Sequence, residues 1–150
     1  MVESGGLIVV GVDGSPDARR ALDWALSEAR LRGGRCLLVH SYDYGIAASS
    51  PFVAPTFEDI SAAAQATLDD QLSAARGSGV PVEGKIVFGR AAKSLIDAGH
   101  DADLLVVGSR GRGGLKGALL GSVSSACVHH ATCPVVVIPP PDRVDAAARE

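Results

Sequence analysis

A doubly wound α/β fold, with helices on both faces of a five-stranded parallel sheet, is predicted by three observations. Short runs rich in Val and Leu recur along the chain, the pattern of strands buried on both faces. Segments with helical spacing alternate with these runs, so the order is strand-helix, repeated. The connections are of crossover length, which parallel neighbours require. The size and composition agree: 150 residues, 47% hydrophobic and 21% charged, suit one globular domain with its own core. Aromatics make up only 4%, so that core must be aliphatic and rich in alanine.

The elements follow in order. Residues 1–6 are polar and glycine-containing and are expected to be a flexible lead. Leu7 to Val12 is the first buried strand, closed by the turn chemistry of Asp13-Gly14-Ser15-Pro16. Ser15 suits an N-cap and Pro16 the first helical position. Ala21, Leu22, Ala25, Leu26 and Ala29 recur at helical spacing beside Trp24, and Gly33-Gly34 stops that helix. Cys36 to Val39 is the second strand, ending near His40 or Ser41. Asp43 to Thr56 has no clear period and reads as a long loop, of a length often tied to function. Phe57 to Arg76 is a helix with Ile60, Ala64, Leu68 and Leu72 on one side, ended by Gly77-Ser78-Gly79. Val82 to Phe88 alternates and belongs near a sheet edge. Ala91 to Ala98 is a third helix with Leu95 and Ile96 inward, stopped by Gly99. Leu104 to Val107 is the fourth strand, about Ser122 to Ala131 the fourth helix, and Val135 to Ile138 the fifth strand. Residues 140–150 are expected to be a flexible tail, which leaves one domain over 7–139.

The most informative stretch lies between the fourth strand and the fourth helix, where Gly108, Gly111, Gly113, Gly114, Gly117 and Gly121 follow one another. Strand, glycine-rich loop and helix start aim backbone N–H groups and the positive end of a helix dipole at one place, which favours an anion such as phosphate. The spacing is not that of a Walker A loop, because no Gly-Lys-Ser/Thr follows. Nor is it the dinucleotide G-x-G-x-x-G, since Lys116 stands where a glycine is needed after Gly111 and Gly113. Parallel sheets bind ligands beyond the carboxyl ends of their strands, where strand order reverses. Asp13, Ser41 and the Gly108 loop all follow strands and so share that edge.

The spacing Gly108-x-x-Gly111, nine residues, then Gly121-Ser122 resembles the nucleotide-binding signature of the universal stress protein family. The flanks VVGSRGRGG (Val106 to Gly114), LLGSVSSACVHHATCPVVVIP (Leu119 to Pro139) and GVDGSPDARRALDWA (Gly11 to Ala25) are similar too, so the resemblance runs over residues 7–139, and the richness in SRGRGG and HHATCPV is similar to actinobacterial members. The resemblance implies a Rossmann-like sheet of strand order 3-2-1-4-5. It implies ATP as ligand, with Mg2+ accompanying it. Gly11 and Asp13 would lie beside the nucleoside, Asp13 accepting from ribose hydroxyls. Gly108, Gly111, Gly121, Ser122 and Val123 would meet ribose and phosphates. Val39 to Ser41 would meet adenine through backbone atoms. It also implies a homodimer paired through Val135 to Ile138, and a nucleotide-dependent regulator of stress response or dormancy that acts on an unknown protein partner. A slow ATPase or a cyclic-AMP-binding protein is the alternative on the same fold.

Several residues admit two readings. Asp13 is a ribose acceptor or simply the first residue of a turn and cap. Arg110, Arg112 and Lys116 can neutralise a triphosphate or keep a glycine loop solvated. Arg110, between two signature glycines, has the better claim. His40 ends a strand on the ligand edge and is read first as an ordinary strand-end histidine. Cys127, His129, His130 and Cys133 invite a zinc reading, but Cys127 and Cys133 straddle a helix end and no distant ligand pair exists, so no protein metal site is expected. No nucleophile elbow and no obvious base for water appears, which leaves at most slow hydrolysis. The net charge of −3 argues against nucleic acid or an anionic membrane surface as partner. No apolar run approaches the roughly 18–20 residues of a membrane span. Three cysteines without framework spacing read as reduced thiols, and the lead carries no basic segment before its apolar run, so the cytoplasm is the expected location.

Overall fold

The structure, a computed structural model, describes residues 5–45, 55–110 and 120–141. Nine elements alternate: β1 (Leu7–Gly11), α1 (Pro16–Arg32), β2 (Arg35–Tyr42), α2 (Phe57–Ala75), β3 (Val82–Phe88), α3 (Ala91–Gly99), β4 (Leu104–Gly108), α4 (Ser122–His130) and β5 (Val135–Ile138). The strands form one sheet in the order β3-β2-β1-β4-β5, and every pairing is parallel. This is the Rossmann-like, doubly wound arrangement that the sequence predicts. Strand order reverses between β1 and β4, which opens a crevice at their carboxyl ends.

The central strands β1 and β4 are buried on both sides because each face of the sheet has its own pair of helices. On one side, Ala21, Leu22, Ala25, Leu26 and Ala29 of α1, with Leu68 and Ala75 of α2, pack on Ile8, Val10, Leu38 and Val106. On the other, Leu95 of α3 and Cys127 of α4 pack on Val9, Val39, Leu105 and Val107. The alanine stripe of α1 keeps that helix close to the sheet, and the valines supply the β-branched surface it rests on.

Local chemistry fixes the ends. The Ser15 hydroxyl accepts the Ala18 N–H, and Pro16 sits in the first turn of α1. Gly33 closes the same helix at φ 69°, a left-handed conformation that a Cβ would strain. Thr56 caps α2 in a reciprocal box with Asp59, whose carboxyl is held below its ordinary value by the Thr56 backbone and hydroxyl bonds. β2 runs past the apolar stretch that marks it in the sequence. His40, Ser41 and Tyr42 remain strand because β3 stays beside them, up to the pairing of Tyr42 with Phe88.

A candidate nucleotide cleft at the strand reversal

The crevice is a cleft of about 290 Å³ lined by the ends of β1, β2 and β4 and the first turns of α3 and α4. Its floor comes in two rows, set by the sheet register. Val39 pairs with Gly11, and Val106 with Val10, so Val39, Gly11 and Val107 lie abreast as an apolar row. Two residues further along the chain come Ser41, still in β2, and Asp13 and Ser109, just past the ends of β1 and β4, and these form a polar row. All six line the cleft.

The two serines of that row are unusual. Ser109 is only 2% exposed, and its hydroxyl has no hydrogen-bond partner among the described residues. The buried Ser41 hydroxyl likewise has none. Buried hydroxyls are normally paired, so two orphans beside one cleft are exceptions among the described residues. Asp13, between them, accepts the Ser15 N–H at 2.8 Å. The turn-and-cap reading of Asp13 is therefore correct in part, and the residue still faces the cleft.

The backbone of β2 adds a donor and an acceptor. N–H and C=O of one residue in a parallel strand point to the same side, alternating along the chain. The Val39 carbonyl accepts the Val12 N–H at 3.0 Å and so faces β1. Ser41 faces the same way, but β1 ends at Gly11, opposite Val39. The N–H and C=O of Ser41 thus lie beyond the last β1 pairing, and Ser41 lines the cleft. Val39 contributes its side chain, its carbonyl being taken.

α4 supplies the polar end. Its N-cap is Gly121, and among the described residues no side chain caps the first turn formed by Ser122, Val123 and Ser124. Free N–H groups there favour a negative charge. A clasp holds this helix start against the end of β4. The Ser109 carbonyl accepts the Gly121 N–H at 2.6 Å and the Ser124 hydroxyl at 2.8 Å. Arg110 also lines the cleft, and its Nε donates to Asp17 Oδ2 at 3.3 Å. That bond ties the strand end to the first turn of α1.

The glycines act by size. A Cβ on Gly108 would come within 2.9 Å of the Asp17 backbone, and one on Gly121 within 3.2 Å of the Ser109 carbonyl. On Gly11 it would meet the end of the Leu95 side chain at 2.9 Å. Small residues here let α1, α3 and α4 close on the strand ends, and that closure shapes the cleft.

Nine of the ten residues singled out in the sequence thus gather around one cleft; Gly111, with Arg112 and Lys116, lies outside the described residues, as do residues 46–54 of the long loop. His40 does not join them. Its Nδ1 lies 2.7 Å from the Val12 carbonyl and donates to it, in a site only 9% exposed. Sequence reasoning missed Ala91 and Leu95, the apolar wall from α3, and the Ser109 and Ser124 pair. The α3 residues carry no motif and are seated by tertiary packing alone. Cys127 is fully buried, and burial, then the neighbouring Cys133, pushes its thiol up to about 11. His129 and His130 are exposed, and among the described residues no three His, Cys, Asp or Glu side chains converge as metal ligands.

Comparison with known proteins gives a consistent result. A sequence profile described as the universal stress protein family matches residues 7–139. A universal stress protein of Mycobacterium tuberculosis is 39% identical over 132 residues, 87% of this chain and 44% of that protein. The chain spans about half the length of the curated relatives it matches. A solved universal stress protein in complex with cAMP superposes with a TM-score of 0.70 at 27% identity, covering 91% of this chain and 98% of that one. The universal stress protein from Archaeoglobus fulgidus in complex with dAMP gives a TM-score of 0.66 at 31% identity, over 87% and 95% of the two chains.

Proposed function

The chain belongs to the universal stress protein family, and from that premise we propose that its cleft binds an adenine nucleotide, ATP with Mg2+ accompanying it, and that the protein is a nucleotide-dependent regulator of stress response or dormancy. The observation that carries this reading is the uncapped start of α4 facing a cleft at the strand reversal whose walls end in unpaired polar groups. In this reading the adenine edge meets the N–H and C=O of Ser41 against the apolar wall of Val39 and Leu95. Asp13 accepts from the ribose. The phosphates sit at Ser122 and Val123, with Gly11, Gly108 and Gly121 keeping the frame tight, and Arg110 and Gly111 on the loop side. The metal rides on the phosphates, whose charge it offsets. Similar proteins solved with cAMP and dAMP support an adenine ligand.

Regulation requires a partner that distinguishes the filled from the empty protein, since equal binding to both forms transmits nothing. A homodimer through Val135 to Ile138 and a cytoplasmic site complete the proposal. The described cysteines are free, as a reducing compartment would keep them. No helix among the described residues is long and apolar enough to cross a membrane.

The test is to purify the protein without added nucleotide, denature it and identify what is released, then titrate ATP, AMP and cAMP by calorimetry with and without Mg2+. Released ATP, or ATP binding tighter than cAMP, is the expected result. Release of no adenine nucleotide, together with no heat from any of the three, overturns the reading. The relative solved with cAMP favours one specific alternative, a cyclic-nucleotide protein, which tighter binding of cAMP than of ATP would establish.

A further inference from the structure

The chain is poor in aromatics, yet four of its six stand together at one corner. Tyr42 ends β2, Tyr44 follows it, Phe57 opens α2 and Phe88 ends β3. Phe88 is the hub. Its ring centroid lies 5.4 Å from Phe57, 5.5 Å from Tyr42 and 5.7 Å from Tyr44, each pair edge to face. The Tyr42 hydroxyl also reaches the Ser61 hydroxyl of α2 at 3.4 Å, so the corner lies on the α2 face of the sheet. It is across the sheet from Val39, which packs with α3 and lines the cleft.

Packing does not hide these rings. Tyr44, Phe57 and Phe88 remain 43%, 46% and 48% exposed, although Leu68 of the same helix is buried. Rings that only stabilised the corner would be expected to sink into the core, whereas a grouped, exposed apolar cluster rimmed by charge marks a surface for a partner. The rim is of one sign. Asp43 stands between the two tyrosines, and Glu58 and Asp59 follow Phe57. All three are exposed, and none joins an ion pair among the described residues. Helix α2 as a whole carries four carboxylates and no Lys or Arg. The cations nearby in sequence belong to the other face. Lys85 alternates away from Phe88, and its charge acts on Asp97 of α3. Arg90 caps α3, which packs on that other face.

We propose that this corner is a docking surface for a basic segment of another protein, whose Arg or Lys side chains lie over the exposed rings and are answered by Asp43, Glu58 and Asp59. Aromatic rings attract cations, and a rim of carboxylates steers them in. Arginine suits the site better than lysine, because its planar guanidinium is weakly hydrated and stacks on rings. The inference goes beyond the nucleotide reading and does not rest on it.

The probe is a short fluorescein-labelled peptide of Arg, Leu and Ser, followed by anisotropy without nucleotide, so that its outcome is separate from that of the cleft. Counterparts with Lys or Glu in place of Arg are run beside it. The Arg peptide is expected to bind, the Lys peptide to bind more weakly and the Glu peptide not at all. Among the described rings Tyr44 pairs only with Phe88, so its loss leaves the other ring contacts in place. Tyr44→Ala is expected to weaken the Arg peptide about fivefold, and Tyr44→Phe, which keeps the ring, less than about twofold. Asp43→Asn and Glu58→Gln should each weaken it about two- to threefold, with the effect fading as salt is added. Asp23→Asn, the same loss of charge on exposed α1, should leave binding unchanged. Failure of the intact protein to bind the Arg peptide overturns the proposal. Equal losses in Asp23→Asn and Glu58→Gln also overturn it, because net charge alone would then explain binding. Thermal melting checks that each variant is folded. If Tyr44→Ala is not, the two charge variants decide, and unchanged binding in both overturns the proposal. A dimer of the intact protein that Tyr44→Ala abolishes in light scattering would assign the corner to a second copy and overturn it as well.

Discussion

Gly11 and Gly108 look alike in the sequence, each closing a valine-rich strand, yet they tolerate change differently. A methyl on Gly11 would press on the flexible end of Leu95, which can turn aside. A methyl on Gly108 would press on the Asp17 backbone, which can move only if the first turn of α1 moves with it. That turn also holds the carboxylate of the Arg110–Asp17 ion pair, whose side chains are only 20% and 12% exposed. Gly108→Ala should therefore cost about 2–3 kcal/mol, in the range of overpacked cores, and Gly11→Ala less than about 1.5 kcal/mol. Urea unfolding of both variants checks this, and an equal cost for the two would contradict the packing account. Neither glycine has a positive φ, so the difference comes from neighbours distant in sequence and was not legible in the sequence. The sequence did show that both positions matter. It could not show that one faces a side chain and the other a helix backbone.

The two outer strands of the sheet differ in the same instructive way. β3 carries Glu83 and Lys85, both exposed, and charges on an edge discourage another strand from joining. β5 is Val135 to Ile138 without a charge, and all four residues are only half-buried. Pro134 and Ile138 give their carbonyls to Leu105 and Ser109, so their backbones face β4, and Val136 faces the same way. Val135 and Val137 then point their N–H groups outward. Val137→Pro removes one outward donor and leaves the β4 ladder whole, whereas Val136→Pro breaks that ladder. If the chain pairs through β5, light scattering should find the parent as a dimer and Val137→Pro as a folded monomer, with Val136→Pro markedly destabilised. A Val137→Pro variant that stays dimeric would exclude this edge as the interface. The position of β5 was legible from its valines, and its exposed side was not, because an apolar run reads the same at an edge as at a centre.

At the scale of the whole molecule, the gathering of motif residues at one edge was legible, because parallel strands joined by crossovers bring every strand end to the same side, whereas the strand order came from the family resemblance. What escaped was whatever carries no pattern: the α3 wall of Ala91 and Leu95, and the polar ends of β2, where His40, Ser41 and Tyr42 break the apolar run. The core also sets a limit on conditions. Burial pushes the Cys36 and Cys127 thiols up to about 11 from an ordinary 9.0. Below pH 9 both folded and unfolded chains keep these protons, and the full stability is present. Between pH 9 and 11 the unfolded chain releases them and the folded chain does not, so stability falls as pH rises. The loss should reach on the order of 2 kcal/mol per thiol at pH 11. Urea unfolding at pH 8 and pH 10.5 measures it, and a Cys36→Ala, Cys127→Ala double variant should flatten the slope; an unchanged slope would rule the thiols out as its source. One feature of the sheet also bears on how many molecules can assemble. A body with two receptive edges adds copies without end, whereas one with a single receptive edge stops once that edge is met. Glu83 and Lys85 stand at the far side of the sheet from β5 and disfavour a second receptive edge there, so if the chain pairs through β5, assembly should stop at a pair.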